Sequence, residues 1–226
     1  MAETDSKIKA IFTLINNIFN KISYFGIRED TDEFLKKKII LANRLSVVLS
    51  IFFFVIASIL GIKFRLVITS IILLILVAIL IGVPFLNQIK RSDLARVLLS
   101  LVLPVFIYIA SIYVKLNYNT GREVVFYFLP RTAMVITVII PLLVLDFRQK
   151  VQYFLVLLFY ALCILFYSSI HNYLGIGIEH AILTGSSYLL ASVIPVLILM
   201  VLIIAFILMQ KINYQYEQSL IKKILS

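Results

Sequence analysis

Six runs of about twenty apolar residues alternate with short polar segments along the chain. Twenty residues of α-helix, at about 1.5 Å each, match the roughly 30 Å hydrocarbon core of a bilayer. Only 14% of the residues are charged, whereas soluble domains average about a quarter, so a soluble globular domain is excluded. The runs predict an all-α polytopic membrane protein with six transmembrane helices, over residues 45–62, 66–86, 94–114, 124–145, 152–170 and 183–209.

The distribution of Lys and Arg predicts how these helices are oriented. Cationic loops resist translocation across a membrane, and sixteen of the 21 Lys and Arg fall on one side of the six-helix arrangement. We therefore expect a multi-pass plasma-membrane protein with both termini in the cytoplasm. The net charge of +10 is explained by this topology and does not indicate a nucleic-acid partner. The five cations on the outer side are Lys63, Arg65, Lys115, Arg122 and Arg131.

Residues 1–44 precede the first span and are predicted to form a cytoplasmic segment. An apolar stripe with helical spacing indicates an amphipathic helix, which we expect to lie in the headgroup plane of the lipid bilayer. Docking against a partner helix is the alternative. A basic cluster, Lys36–Lys38, is predicted to anchor the first span at the cytoplasmic surface. The stripe consists of Ile8, Ile11, Phe12, Ile15, Ile18, Phe19 and Ile22.

Residues 210–226 follow the six-helix domain, residues 45–209, and continue the sixth span without Gly or Pro. An apolar stripe along this tail predicts a homodimer, and Pro195 is expected to bend the span that leads to it. Two interpretations of the tail remain open: a natural helical end, or the beginning of a cytoplasmic domain. The stripe consists of Ile212, Tyr216, Leu220 and Ile224.

Residues that catalyse reactions or hold metals form no recognised pattern. His171 and His180 lack the i, i+4 spacing of a helical zinc site. Asp93 and Asp146 fall at the cytoplasmic ends of predicted spans, whereas an intramembrane protease or proton relay needs buried acids. The sequence therefore predicts no catalytic residues, no metal site and no cofactor.

One cation, Arg131, is predicted to lie inside the membrane. If the fourth span begins near Val124, Arg131 is seven residues, or about 10 Å, below the outer boundary. A cation at that depth needs partners, so we expect a polar ligand-binding pocket in the outer leaflet. In the alternative, Pro130 begins a shorter helix and Arg131 extends to the headgroups. The other predicted members of the pocket are Glu123, Tyr127, His171, Glu179 and His180.

A set of short segments spans most of residues 25–210: Phe25–Ile27, Leu35–Arg44, Pro130–Arg131, Leu145–Arg148, Ile170–His171 and Gly175–Ile176. Together they resemble the multi-pass sensor regions of bacterial signalling proteins. In those proteins a cytoplasmic helix follows the membrane region, and then a histidine kinase, nucleotidyl cyclase or serine/threonine phosphatase domain. The resemblance implies an output activity in a domain beyond Ser226 or in a separate partner. It also implies roles for Arg131, Asp146 and His171.

Three functions fit this pattern, and the first is preferred. A sensory input module would receive a stimulus in the outer leaflet and transmit it through the sixth helix to a cytoplasmic output domain or partner. A small-solute transporter, or an accessory subunit of one, is the second, although the two halves show no inverted repeat. A structural membrane partner is the third, and it predicts that replacing Arg131 or His171 changes only the expression level.

Overall fold

The computed structural model of the chain describes residues 13–14, 17–63, 66–117 and 125–177, together with Ile203, Phe206 and Tyr214. Every regular element in these residues is an α-helix, which confirms the predicted all-α class. The helices form two compact units, Met1–Val102 and Leu103–Ser226. After helical residues 17–23, they are α1 (Glu33–Ile62), α2 (Val67–Gln88), α3 (Ser92–Asn117), α4 (Val125–Thr137), α5 (Ile139–Val144) and α6 (Lys150–Tyr173).

Four of these helices, α1, α2, α3 and α6, are long and apolar enough to cross a membrane. The exposed face of α1 is apolar, and its Phe52 and Phe54 are each more than half exposed. The buried face of the same helix carries small and polar residues, including Ser46, Ser50 and Ala57. Polar groups inside and apolar groups outside suit a lipid solvent, so these helices are compatible with a bilayer.

The boundaries of the long helices follow the hydropathy pattern closely, except at the start of α1. α2, α3 and α6 begin and end within three residues of the predicted spans. α1 begins at Glu33 rather than at residue 45, because no Gly or Pro interrupts the chain between Glu33 and Leu60. The predicted anchor Lys36–Lys38 is therefore helical. Lys38 is buried, with its Nζ 5.2 Å from the centroid of the Phe34 ring.

The fourth predicted span, residues 124–145, is discontinuous. α4 ends at Thr137 and α5 begins at Ile139. Pro141 explains the interruption, because it has no N–H to donate to the Thr137 carbonyl four residues earlier. The hydroxyl of Tyr160 in α6 donates to that carbonyl at 3.3 Å. A neighbouring side chain thus satisfies a backbone group that is costly to leave unpaired in lipid.

A buried amide pair holds the N-terminal segment against α1 and α2. Asn43 Nδ2 donates to the carbonyl oxygens of Ser23 and Phe25 at 3.1 and 3.0 Å, and Asn87 Nδ2 donates to Asn43 Oδ1 at 2.6 Å. Both asparagines are fully buried. Gly26 follows, with a φ of +84°, at a place where a Cβ atom would clash with the Asn87 carbonyl. The turn after the N-terminal helix is therefore packed against protein.

Two contacts in the second unit show that α3 and α6 run in the same direction. The hydroxyl of Tyr108 donates to the Phe166 carbonyl at 3.2 Å. Farther along both helices, Ser111 Oγ lies 3.2 Å from His171 Nε2. Because residue numbers rise together along the two helices, their C-terminal ends lie side by side.

α4 runs in the opposite direction to α6. Arg131, at the middle of α4, lies beside Tyr167 near the end of α6. Thr137, at the end of α4, is bonded to Tyr160, two turns earlier in α6. α4 and α5 therefore lead the chain back toward the start of α6.

The C-terminal segment contacts the turn between α5 and α6. The ring of Tyr214 lies edge-on to Phe147, with centroids 6.0 Å apart, and 5.9 Å from the guanidinium carbon of Arg148. The turn is itself closed by Arg148, whose Nε donates to both carboxylate oxygens of Asp146 at 3.0 and 2.9 Å. Tyr214 therefore lies at the Lys150 end of α6, opposite the Tyr173 end.

Candidate functional site

A buried polar cluster joins the C-terminal halves of α3 and α6 to α4. At its centre is Tyr167, whose side chain is fully buried. The hydroxyls of Tyr167 and Ser111 are hydrogen-bonded, and Lys115 Nζ donates to the Tyr167 hydroxyl at 3.0 Å. The Tyr167 cluster is defined here as Tyr108, Ser111, Lys115, Arg131, Tyr167 and His171.

Helical spacing explains why these side chains meet. Ser111 and Lys115 are one turn apart on α3, and Tyr167 and His171 are one turn apart on α6, so each pair shares a helix face. The two faces are opposed because α3 and α6 run side by side in the same direction. The sequence thus supplies two polar pairs, and the packing of the helices brings them together.

Two cations converge on the ring of Tyr167. Lys115 Nζ lies 4.9 Å and the guanidinium carbon of Arg131 lies 5.2 Å from the ring centroid. Only 6% of Lys115 and 4% of Arg131 is exposed. A cation over an aromatic face gains about 0.5–2 kcal/mol, which offsets part of the cost of burying charge. The cluster therefore holds concentrated positive charge inside an apolar unit.

His171 links the cluster to the backbone of α6 by a hydrogen bond. Its Nδ1 lies 2.7 Å from the Tyr167 carbonyl oxygen, and its Nε2 lies 3.2 Å from Ser111 Oγ. A carbonyl oxygen only accepts, so Nδ1 carries the hydrogen, and the neutral ring then accepts the Ser111 hydroxyl through Nε2. The rings of His171 and Tyr167 are in contact, with centroids 4.0 Å apart and planes tilted by 32°. The orientation of the imidazole is therefore fixed at both nitrogens.

Tyr108 connects the Tyr167 cluster to an apolar groove between α3 and α6. Its ring packs edge-on against Tyr167, with centroids 5.5 Å apart, and lies 5.7 Å from the His171 ring. The groove has a volume of about 430 Å³. Its lining includes Val105, Tyr108 and Ile109 from α3, and Leu162, Phe166 and Ile170 from α6.

The chemistry of the cluster favours binding over catalysis. Ser111 and His171 are in contact, as a nucleophile and its general base would be. The Ser111 hydroxyl is buried and is also bonded to the Tyr167 hydroxyl, so it is not open to a substrate carbonyl. An ammonium, a guanidinium and hydroxyl groups together are the donors that bind carboxylates and phosphates. The cluster is therefore suited to an anionic group.

The structure brings together two of the six predicted pocket residues, Arg131 and His171, which both contact the Tyr167 ring. Tyr127 belongs to α4, but its side chain lies outside the part that the structure describes. Also outside the described residues are Glu123, Glu179 and His180, and the tail residues Ile212, Tyr216, Leu220 and Ile224. The same is true of the sixth predicted span, including Pro195, except for Ile203 and Phe206.

The position of Arg131 differs from the alternative in which it extends to the headgroups. Pro130 lies inside α4, which begins at Val125, so it does not start the helix. Arg131 is directed at Tyr167 and is buried. The aromatic face of Tyr167 thus provides a buried partner for the guanidinium.

Four members of the cluster are not among the residues predicted from the sequence: Tyr108, Ser111, Lys115 and Tyr167. Lys115 follows the third predicted span, residues 94–114, but α3 continues to Asn117. A signal was present in the i, i+4 spacing of Ser111 with Lys115 and of Tyr167 with His171. Polar pairs one turn apart within apolar runs mark a shared interior face.

Within the described part of the chain, no three His, Cys, Asp or Glu side chains are grouped so that they could hold a metal ion. No protein-family model, curated protein or solved structure matches the chain. The resemblance to bacterial sensor regions therefore stays a prediction, and the function is argued from the Tyr167 cluster and its surroundings.

Proposed function

We propose that the chain is a sensory input module and that the Tyr167 cluster receives its stimulus. The observation that carries this proposal is a packed route from the cluster to the other end of the second unit. Arg131 touches Tyr167, and its helix α4 leads through α5 to the turn with Phe147 and Arg148. Both turn residues contact Tyr214 in the C-terminal segment. A shift of α4 would therefore reach that segment.

The interruption between α4 and α5 is the point on this route where the helix can bend. The hydrogen bonds from Val138 N to Met134 O and from Leu142 N to Val138 O are both 3.3 Å long. Pro141 removes a further bond, and helices bend most readily where such bonds are missing. Signal transmission needs an element with two arrangements, and the α4–α5 junction is the proposed one.

The helix directions support six crossings with both termini in the cytoplasm. α3 and α6 run in the same direction, so residues 125–144 return the chain between them. Tyr214 lies at the Lys150 end of α6, which supports another return after Tyr173. These helix directions, together with the excess of Lys and Arg on one side, favour a plasma-membrane protein with the Tyr167 cluster in the outer leaflet.

In this proposal the chain senses the stimulus, and a cytoplasmic domain or a separate partner produces the output activity. The signal leaves through residues 210–226. Two copies of the chain form a homodimer through the apolar stripe predicted in these residues. The resemblance to bacterial sensor regions favours an enzymatic output of that kind, outside this chain.

A disulfide between Phe147→Cys and Tyr214→Cys, in a Cys163→Ala background, would report on the far end of the route. We expect Arg131→Gln to change the rate of oxidative disulfide formation in membranes by about fivefold or more, the usual scale of coupling between sites. The remaining thiols are counted by labelling with a polymer-linked maleimide.

Two control variants separate coupling from loss of charge. Arg131→Lys keeps the cation and should preserve the rate. Lys63→Gln removes an exposed cation that follows α1, in the other unit, and should also preserve it. An unchanged rate in Arg131→Gln, with helix content intact, would show that the two ends are not coupled and would refute the sensor proposal.

A small-solute transporter is the second candidate, and the discontinuous fourth span favours it. Transporters place interrupted helices around a central binding site, and α4 carries Arg131 close to such an interruption. Because the cluster is cationic, radiolabelled inorganic phosphate is a suitable probe. Uptake into proteoliposomes that is lost in Arg131→Gln, without any change in the Phe147–Tyr214 crosslink, would favour transport over sensing.

A further inference from the structure

Four polar groups of the Tyr167 cluster form one chain of three hydrogen bonds. Lys115 Nζ lies 3.0 Å from the Tyr167 hydroxyl, which is bonded to Ser111 Oγ. Ser111 Oγ in turn lies 3.2 Å from His171 Nε2. Ser111 and His171 are both buried. Each of the three bonds joins α3 to α6, so the chain contributes to the contact between these two helices.

The direction of every bond in this chain is fixed by His171. Its Nδ1–H donates to the Tyr167 carbonyl at 2.7 Å, so the neutral ring has only a lone pair on Nε2. Ser111 must use its single hydrogen for that lone pair, and Tyr167 must then donate to Ser111 Oγ. An ammonium only donates, so Lys115 donates to the Tyr167 oxygen. Three hydrogens thus serve three bonds, all directed from Lys115 toward His171.

A concerted shift of these three hydrogens carries a proton to His171. The Lys115 ammonium gives a hydrogen to the Tyr167 oxygen, the Tyr167 hydrogen passes to Ser111 Oγ, and the Ser111 hydrogen passes to Nε2. Three bonds to hydrogen break and three form, so the positive charge moves from Lys115 to His171 while the heavy atoms stay in place. Lys115 lies in the last turn of α3, next to the exposed Leu116, where its amine can regain a proton from water.

Once Lys115 is charged again, the chain contains one hydrogen too many. All four groups then carry a hydrogen for the chain, whereas only three bonds are available. The Lys115 ammonium has no lone pair to accept the Tyr167 hydrogen, and an unpaired donor is costly in a buried site. Protonation of His171 is therefore expected to break one of the bonds between α3 and α6.

The charges around His171 act in the same direction. A charged His171 ring lies beside two cations, Lys115 of α3 and Arg131 of α4, which both contact the Tyr167 ring. The phenols of Tyr108 and Tyr167, which also face His171, are uncharged below about pH 10. A proton on His171 thus adds a third positive charge to the cluster, and like charges repel.

We infer that the proton is the ligand of the Tyr167 cluster and that it binds at His171 Nε2 through the chain from Lys115. Binding loosens the contact between α3 and α6. Arg131 of α4 packs on the same Tyr167 ring, which connects this change to the route toward Tyr214. The inference rests on the proposed function and deepens it, because it names acidification as the stimulus.

Nitrogen nuclear magnetic resonance of a single labelled histidine tests this inference. The chain contains two histidines, so His180→Gln leaves His171 as the only one and provides the parent chain. The full parent chain is reconstituted in phosphatidylcholine vesicles and titrated from about pH 8 to about pH 4, on both sides of the ordinary titration of an imidazole. We expect a protonated Nδ1 and a bare Nε2 at neutral pH, and Nε2 should gain its hydrogen as the pH falls.

Two substitutions of Lys115 separate the matching of hydrogens from the effect of charge. Lys115→Gln and Lys115→Met both remove the cation, so both should raise the midpoint of the His171 titration above that of the parent. Only the Gln side chain has a carbonyl that can accept the Tyr167 hydrogen when the chain is reversed. Its midpoint should therefore lie about one pH unit above that of Lys115→Met, a tenfold difference in proton affinity. Lys63→Gln, which removes an exposed cation after α1, is the control and should leave the midpoint unchanged.

Three results would overturn the inference. A bare Nδ1 with a protonated Nε2 at neutral pH would reverse the bonds that define the chain. Equal midpoints in Lys115→Gln and Lys115→Met would show that the matching of hydrogens does not govern proton binding. A His171 ring that stays neutral until the helices unfold, as followed by circular dichroism, would show that the cluster binds no proton.

The measurements on the parent chain use an intact cluster, so they do not depend on how well the Lys115 variants fold. None of them uses the Phe147–Tyr214 crosslink, which is measured at constant pH. Failure of proton binding is therefore distinguishable from failure of the sensor proposal.

Discussion

Replacing Tyr167 with Phe removes a single oxygen atom from the centre of the Tyr167 cluster. That oxygen accepts a hydrogen bond from Lys115 Nζ at 3.0 Å and is bonded to the Ser111 hydroxyl. The phenyl ring keeps the volume of the side chain and both cation–aromatic contacts. The substitution therefore isolates the contribution of the hydroxyl in a buried site.

The expected loss of stability follows from these two bonds. A hydrogen bond to a charged donor contributes about 1.5–3 kcal/mol, and hydrogen bonds between membrane helices average about 0.6 kcal/mol. Together they predict that Tyr167→Phe lowers the free energy of unfolding by about 2–3.5 kcal/mol. The lost bonds join α3 to α6, so the same substitution should loosen that pair of helices.

Two other tyrosines on α6 provide a graded comparison. Tyr160 is fully buried and makes a 3.3 Å bond to the Thr137 carbonyl. Tyr160→Phe removes the partner of that carbonyl and should cost about 1 kcal/mol, between the average bond between membrane helices and the cost of an unpaired buried acceptor. Tyr153 is also buried, and its hydroxyl has no hydrogen-bond partner among the residues described. Tyr153→Phe should therefore be neutral or slightly stabilising, because it removes an unsatisfied polar atom.

Unfolding in mixed micelles with increasing sodium dodecyl sulfate, followed by far-ultraviolet circular dichroism, would measure all three variants. The expected order of destabilisation is Tyr167→Phe, then Tyr160→Phe, then Tyr153→Phe. A cost for Tyr167→Phe below about 0.5 kcal/mol, or equal to that of Tyr153→Phe, would refute the argument that the hydroxyl organises the cluster, since each bond should be worth at least that much.

Two further predictions concern the ends of the chain. Gly26→Ala should destabilise the docked turn by at least about 1–2 kcal/mol, because an L-residue is strained at positive φ and its Cβ would also clash with the Asn87 carbonyl. Trypsin should then cleave faster at the exposed Arg28. Gly82→Ala, where an added Cβ meets nothing, is the control and should leave the cleavage rate unchanged. Cysteines at Tyr216 or Leu220, with Cys163→Ala, should form symmetric disulfides in membranes if the tail dimerises, and a purely monomeric product would contradict the dimer.

Hydropathy alone located the long helices well. The predicted second span, residues 66–86, and fifth span, residues 152–170, correspond to α2 and α6 within three residues. This agreement is physical, because an apolar run in lipid has to satisfy its backbone within the helix. The start of α1 differs from the prediction because the polar residues between Glu33 and Arg44 indicate a cytoplasmic linker before the first span, although nothing there breaks the helix.

The candidate site could be predicted only in part. Arg131 and His171 stood out because charged or ionisable groups are costly in lipid. Tyr167 did not, since a tyrosine in an apolar run is ordinary until its neighbours are known. The interruption at Val138 could also be predicted only in part. Pro141 predicts a missing hydrogen bond at the Thr137 carbonyl, but only the packing of α6 shows that a tyrosine hydroxyl compensates for it.

The Asn43–Asn87 contact bears on how the protein is made. Asn43 enters the translocation machinery before Asn87 has been synthesised, and until then its carboxamide oxygen lacks the donor that it has in the finished fold. Asn43 precedes the first predicted span, residues 45–62, so water can serve as its partner until the second helix arrives. A helical hairpin, released into the lipid as a pair, is the smallest piece of this chain in which both amides are matched to each other.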